Sequence, residues 1–222
     1  MATHWHMHVL KKPSATATRR LLRDEVRNSL WETIISGQLL LGARLEVTAI
    51  QEWLGVSRTP ARQAIDALVA EGFIETAAHS YTRVVKPDPD EGAFTLDTVG
   101  ALMSAMTRRA IPRFSAKARE KTAVLADRVR DASLAEDRKA LGQTASDLFS
   151  VVYRECGNPV LQNVWKSTGE GLAYRLAVAM EHEAIEWDRQ AELYGRLAAA
   201  IRADDAEEAG RIVEETHALR MK

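Results

Sequence analysis

The stretch TAIQEWLGVSRTPARQAIDALVAEG, residues 48–72, constrains this chain more than any other. Two amphipathic segments, each too short to hold as a helix alone, flank the turn LGVS. Gly55 ends the first, which carries Ile50, Trp53 and Leu54, with Thr48 as its expected N-cap. Ser57 or Arg58 opens the second, Pro60 falls in its first turn, where a missing N–H costs nothing, and Gly72 closes it. Ile65, Leu68 and Val69 give the second segment one apolar face. Arg58 and Arg62 stand four residues apart and therefore share another face, where like charges repel slightly. Something outside the chain rewards the pair.

The flanking residues extend the pattern. Upstream, Leu22, Val26, Leu30, Ile34 and Ile35 recur at helical spacing over 19–36, and Gly37 stops that helix. Downstream, FIETA and TRVVKP read as two short strands joined by AHSY. PDPDEG, with two prolines, three acids and a glycine, reads as a linker. From there on only helical patterns occur, over 94–111, 115–133, 135–156, 159–180, 186–203 and 205–220. Their apolar faces, such as Leu96, Val99, Leu102, Met103 and Met106, are expected to bury into a bundle. The expected organisation is a flexible arm over 1–17, a first domain over 18–87, a linker over 88–92 and an all-helical domain over 93–222. The fold class is mainly α: an N-terminal winged helix-turn-helix followed by a C-terminal antiparallel all-α bundle of about six helices.

Composition sets the outer limits. No apolar run approaches the roughly 18 residues of a membrane span, and the N-terminus lacks the apolar core of a secretory signal. With a single cysteine, Cys156, a disulfide framework is excluded, as suits a reducing cytoplasm. The chain carries a net charge of −1. Residues 1–87 hold 11 Lys and Arg against 8 Asp and Glu, and the remainder 19 against 23. A mildly basic front half is compatible with a polyanionic partner.

Two short helices across a glycine turn, followed by a hairpin, form the pattern in which the second helix enters the DNA major groove N-terminus first. The leading residues are Ser57, Arg58, Thr59 and Arg62. Arginine grips guanine O6 and N7 with two parallel hydrogen bonds, and hydroxyls reach phosphates or base edges. The helix start adds N–H donors and a partial positive charge. A surface helix with two solvated arginines is the plainer reading; the turn glycine, the hydroxyls, Pro60 and the hairpin together favour double-stranded DNA as partner.

The segment ISGQLLLGARLEVTAIQEWLGVSRTPARQAIDALVAEGFIE resembles the DNA-binding domain of the GntR family of bacterial transcription regulators. The helical remainder resembles the FCD effector-binding domain of that family's FadR-like branch. The resemblance implies DNA contacts from Thr48, Ser57, Arg58, Thr59 and Arg62. It also implies minor-groove contacts from the hairpin tip at His79 and Ser80. The family's usual tip glycine is replaced here by Ser80-Tyr81, and His79 reads equally well as a solvated loop residue.

Many FCD domains bind a divalent metal through an Asp, a His one turn later and two further His. Those positions fall here on Ala145, Phe149, Tyr194 and His217, so one ligand of four survives. No metal of the usual kind and no cofactor is expected, and His217 reads as a pocket-lining or core histidine. The alternating His4, His6 and His8 read as part of the arm, with a stray metal contact as the alternative. The family's effector-carboxylate arginine has Val99 and Gly100 near its place. A less charged ligand than a dicarboxylate, or none, follows, lined by Phe149, Tyr153, Tyr194 and His217. No phosphate loop, GxSxG, HExxH or Cys/His pairing occurs, so no catalytic residues and no enzyme are expected. The reading is a cytoplasmic homodimeric transcription regulator, a repressor by the family's commoner mode, that binds operator DNA under control of a small-molecule effector. It has no membrane partner. The alternatives are a bundle that only dimerises, and an all-α enzyme with a vestigial winged helix.

Overall fold

A computed structural model describes residues 22–77, 80–88, 91–179 and 185–218. The expected arm and His79 lie outside them. The chain divides into two compact units, one comprising Met1–Pro87 with Ser167–Tyr174, the other Asp88–Lys166 with Arg175–Lys222.

The first unit opens with α1 (Leu22–Ile35). Val26, Leu30 and Ile34, spaced four apart, are buried on one side of it. Gly37, at φ 72°, takes the left-handed conformation that ends the helix. Helices α2 (Val47–Leu54) and α3 (Arg58–Ala70) follow, joined across Gly55, whose φ of 67° would strain any side chain. The N-cap of α2 is Glu46, two residues before the expected Thr48, so Thr48 is not the cap. Val47 packs on the core and draws the helix start back to itself.

Strands β1 (Ile74–Ala77) and β2 (Tyr81–Val84) pair antiparallel, Ile74 opposite Val84 and Glu75 opposite Arg83. Arg44 adds a single bridge to Arg83, and the Leu45 N–H donates to Thr82 O at 2.8 Å. The core joins α1, α2, α3 and the sheet through Leu30, Ile34, Ile50, Trp53, Ala61, Leu68, Phe73 and Val84. Within this unit Tyr174 meets Phe73 with ring centroids 5.4 Å apart. Gly171 lies so near the Glu71 carbonyl oxygen that a Cβ would stand 1.8 Å from it.

The second unit is built from α4 (Glu91–Ala110), a 3-10 turn (Ile111–Arg113), α5 (Ala116–Leu134), α6 (Arg138–Glu155), parts of α7 (Pro159–Ala179), α8 (Trp187–Arg202) and α9 (Ala206–His217). One expectation needs correction. Glu91 and Gly92, placed in the linker 88–92, already belong to α4: an acid in a first turn suits the helix dipole, and Glu91 meets Arg175 at 3.2 Å. Ser167–Tyr174, within α7 and within the expected helical span 93–222, groups by its contacts with the first unit.

Within the second unit α5 packs on α8 and α6, and α4 packs on α9 and α6. Both α5 and α8 bury alanines, Ala123 and Ala126 in the one and Ala191 and Ala198 in the other, and small buried side chains suit closely packed helices. Among the described residues four helix starts are capped: Ser115, Asp137 and Asp205 accept from the N–H of Ala118, Ala140 and Glu208 at 3.2, 2.9 and 3.0 Å, and Asn158 accepts from those of Val160 and Leu161 at 3.1 and 3.2 Å. No helix among the described residues is long and apolar enough to cross a membrane.

Candidate nucleic-acid interface and bundle interior

Helix α3 is held on the core by Ala61, Ala64, Ile65 and Leu68, all buried. Its opposite arc carries Arg58, Thr59, Arg62, Gln63 and Asp66, all exposed, with Ser57 exposed just ahead of it. Ser57 is the N-cap, with extended backbone, yet its hydroxyl makes no capping bond. The leading N–H groups therefore stay open to an outside acceptor, unlike those of α5, α6 and α9.

Among the described residues Arg58 and Arg62 enter no ion pair, while the other arginines of the unit's interior are held. Arg27 bonds Glu71 through Nε at 2.9 and 3.1 Å and through its terminal nitrogen, and reaches Glu170 at 3.2 Å. Arg83 bonds Glu75 at 2.5 Å and lies over the Tyr81 ring, 4.2 Å from its centroid. Hydrogen bonding to Glu71 and Glu170 raises the Arg27 guanidinium above its ordinary value against the opposing pull of burial. Thr48 is exposed on α2, and Ser80 is exposed in the turn, where its N–H donates to Ala77 O at 3.0 Å.

Sequence reasoning missed two surface groups here. Arg44 is exposed, and its bridge sets it directly across from Arg83; an isolated one-residue pairing leaves no periodic trace. Gln63 shares the α3 arc, and its position four after Thr59 was the available signal.

In the bundle, three of the four expected interior residues come together. The rings of Phe149 and His217 meet edge-on with centroids 5.6 Å apart. Tyr194 is buried, and its hydroxyl feels the side chain of Thr216, the neighbour of His217. Burial pushes that phenol up to about 12. His217 Nδ1 lies 2.8 Å from Val213 O and 2.9 Å from Thr216 Oγ1. A carbonyl only accepts, so Nδ1 carries the proton of the neutral ring and Nε2 is left as an acceptor. Burial pushes the imidazole below its ordinary value, with the Val213 bond opposing. Tyr153 is half-buried, and its backbone oxygen accepts from Gln162 Nε2 at 2.9 Å; among the described residues no hydrogen bond or ring contact joins its side chain to the other three.

Gly100 stands against His217, where an added Cβ would lie 2.6 Å from His217 Cβ. No arginine fits there. Arg108 instead lies along Gly210 and pairs with Glu207 and Glu214 at 3.0 and 2.9 Å. Alanine at 145 and phenylalanine at 149 offer a metal nothing, so the donor set does not fit a tetrahedral Zn site. Among the described residues no group of three or more His, Cys, Asp or Glu is arranged to hold a metal.

An exposed, positively charged helix start behind a glycine turn, beside a two-stranded wing and followed by a helical bundle, defines a winged-helix DNA-binding transcription regulator. The family comparison agrees: the model of bacterial regulatory proteins of the gntR family matches residues 22–84, and the FCD domain model matches residues 95–218. The chain belongs to the gntR family, in its FCD-bearing branch.

It is 26% identical over 194 residues to the "Probable D-xylose utilization operon transcriptional repressor" of Paenarthrobacter nicotinovorans, covering 87% of this chain and 84% of that protein. Among solved structures it is similar to E. coli McbR/YncC, with a TM-score of 0.61, 21% identity and coverage of 89% and 94% of the two chains. It is also similar to a transcriptional regulator GntR from Rhodococcus sp. RHA1, with a TM-score of 0.60, 19% identity and coverage of 88% and 95%. At these identities the two structures speak for the fold.

Proposed function

We propose that the protein is a homodimeric repressor that reads an inverted-repeat operator with α3 of each protomer. One observation carries this reading: Arg58 and Arg62 are exposed without an ion pair on a helix whose first N–H groups are uncapped. Arg58 and Arg62 reach guanine edges, Thr59 a base edge or phosphate, and Ser57 and Thr48 the phosphates flanking them. Ser80 lies beside the minor groove, where the family resemblance also puts His79. One short helix reads few base pairs, and a two-fold pair of them sets half-sites about one helical turn apart. The gntR-family relative described as a repressor supports that sign of regulation.

The test is a gel-shift titration on the DNA upstream of the protein's own gene, with the double variant Arg58→Ala/Arg62→Ala as control. A specific shift that disappears in the variant supports the reading. Equal weak binding by both chains at every sequence overturns it.

The bundle senses an uncharged or weakly charged small molecule, because its interior groups are neutral: Tyr194, Thr216 and the depressed His217. An effector that prefers one state changes operator affinity by its own preference, typically about 5- to 150-fold. A second reading has its own observation. Phe149 and Gly100 close on His217 from two sides, which suits a bundle that dimerises and senses nothing. A thermal-shift screen separates the two, since a ligand of the native state raises Tm.

A further inference from the structure

We propose that Gln63 is a specificity-determining residue that selects adenine next to the base pair read by Arg62; this rests on the operator-reading function of α3 proposed above. The buried residues Ala61, Ala64, Ile65 and Leu68 fix which arc of α3 faces outward, and Gln63 lies on that arc beside Arg62. Among the described residues its amide makes no hydrogen bond. The amides of Gln162 and Gln190, by contrast, donate to the backbone carbonyls of Tyr153 and Thr216 at 2.9 and 3.2 Å. At about 1.5 Å of rise per residue, Gln63 stands roughly 7.5 Å along the helix from Arg58.

The chemistry selects the base. A carboxamide offers one donor and one acceptor side by side, which matches the N7 acceptor and N6 amino donor of adenine, whereas the guanidinium of Arg58 or Arg62 offers donors only. The next exposed residue along the arc is Asp66. It enters no ion pair among the described residues, and its carboxylate repels phosphates. The Gln63 end of the arc therefore faces base edges, while phosphates gather at the uncapped start near Ser57.

The experiment is selection from a random duplex library with the full-length wild type, Gln63→Ala, Gln63→Glu and Arg58→Ala/Arg62→Ala, each checked for helicity by circular dichroism. The expected result is an inverted repeat for the wild type. Gln63→Ala should lose the adenine preference at one position of each half-site by roughly 5- to 150-fold, with the other positions retained. Gln63→Glu should move that preference to cytosine, whose N4 amino group a carboxylate accepts from. An unchanged preference profile in Gln63→Ala, or uniform weakening at every sequence, overturns the inference. A wild type that enriches no sequence overturns the operator reading itself, and that arm alone reveals it.

Discussion

Gly100 and His217 meet without space for one further carbon: a Cβ on residue 100 would stand 2.6 Å from His217 Cβ and 3.2 Å from its ring. Gly100→Ala therefore sets two effects against each other. Alanine favours the helix by up to about 1 kcal/mol, while overpacking a close contact costs about 1–3 kcal/mol. Overpacking prevails, because backbone of α4 or α9 has to move. Gly142 in α6 is the control, since a Cβ there meets nothing within 4 Å. Urea unfolding should show Gly100→Ala destabilised and Gly142→Ala stabilised by about 0.5–1 kcal/mol.

His217 gives the bundle a dependence on pH. Burial holds its folded pKa below the unfolded value of about 6.5, so below that pH the unfolded chain binds a proton that the folded chain refuses. Stability falls as pH drops from about 6.5 toward the folded value, by at most about 1.4 kcal/mol per pH unit. Unfolding midpoints at several pH values should show this slope in the wild type. The variant His217→Gln should lose it in that window.

Arg27 and Glu71 are held by two Nε contacts at 2.9 and 3.1 Å and by a third from the terminal nitrogen, with side chains 20% and 25% exposed. Truncating Arg27 to alanine leaves Glu71 half-buried and unpaired, at a cost of about 1–3 kcal/mol, whereas truncating Glu71 leaves Arg27 only Glu170 as a carboxylate partner, at 3.2 Å. Arg27 also lies over Trp31, 5.7 Å from the ring centroid, so its loss removes packing as well as charge. A double-mutant cycle should give a coupling energy of at least about 0.5 kcal/mol. Additive effects of the two truncations would reduce the pair to surface decoration.

Arg58→Ala should cost about 1–3 kcal/mol of discrimination at one base pair of each half-site. It should leave the melting temperature nearly unchanged, because an exposed residue without an ion pair holds nothing in the fold. Competition binding against single-base operator variants measures the first effect and calorimetry the second.

Much of the DNA-binding unit could be read from glycines and periodicity. Gly55 needs the left-handed backbone that only glycine enters at no cost, and Pro60 fits only a first turn; together they placed the start of α3 at Ser57 or Arg58, and it falls at Arg58. Six helical segments of the bundle followed from apolar spacing and from the Gly157-Asn158-Pro159 break. The errors lie where a distant partner decides. Thr48 lost the N-cap to Glu46 because Val47 packs on the core. Glu91 was read as linker because the prolines and Gly92 resemble a breaker, whereas Arg175 and the helix dipole hold it in α4.

The interior positions were legible by a different route. Counting from helix ends by family likeness brought Phe149, Tyr194 and His217 to one place, and the folded chain joins them through a ring contact and Thr216. Tyr153 was not part of that count and was added as lining by position alone; a half-buried residue near a helix end has no periodic signal that fixes its neighbours. The membership of Ser167–Tyr174 in the first unit was not legible at all, since it rests on Gly171 and Tyr174 meeting residues about a hundred positions away in sequence.

The open start of α3 has a consequence for heat. A hydroxyl cap is worth about 1 kcal/mol to a helix, and Ser57 withholds it. The DNA-binding head is thereby left below the stability its own sequence could reach, and the start of α3 is a place where amide exchange should run fast. Operator phosphates would supply the missing acceptors, so DNA acts on this protein as a thermal stabiliser as well as a target. A variant selected only for a higher melting point would be drawn to close that helix start, and would become a sturdier molecule that grips its operator less well.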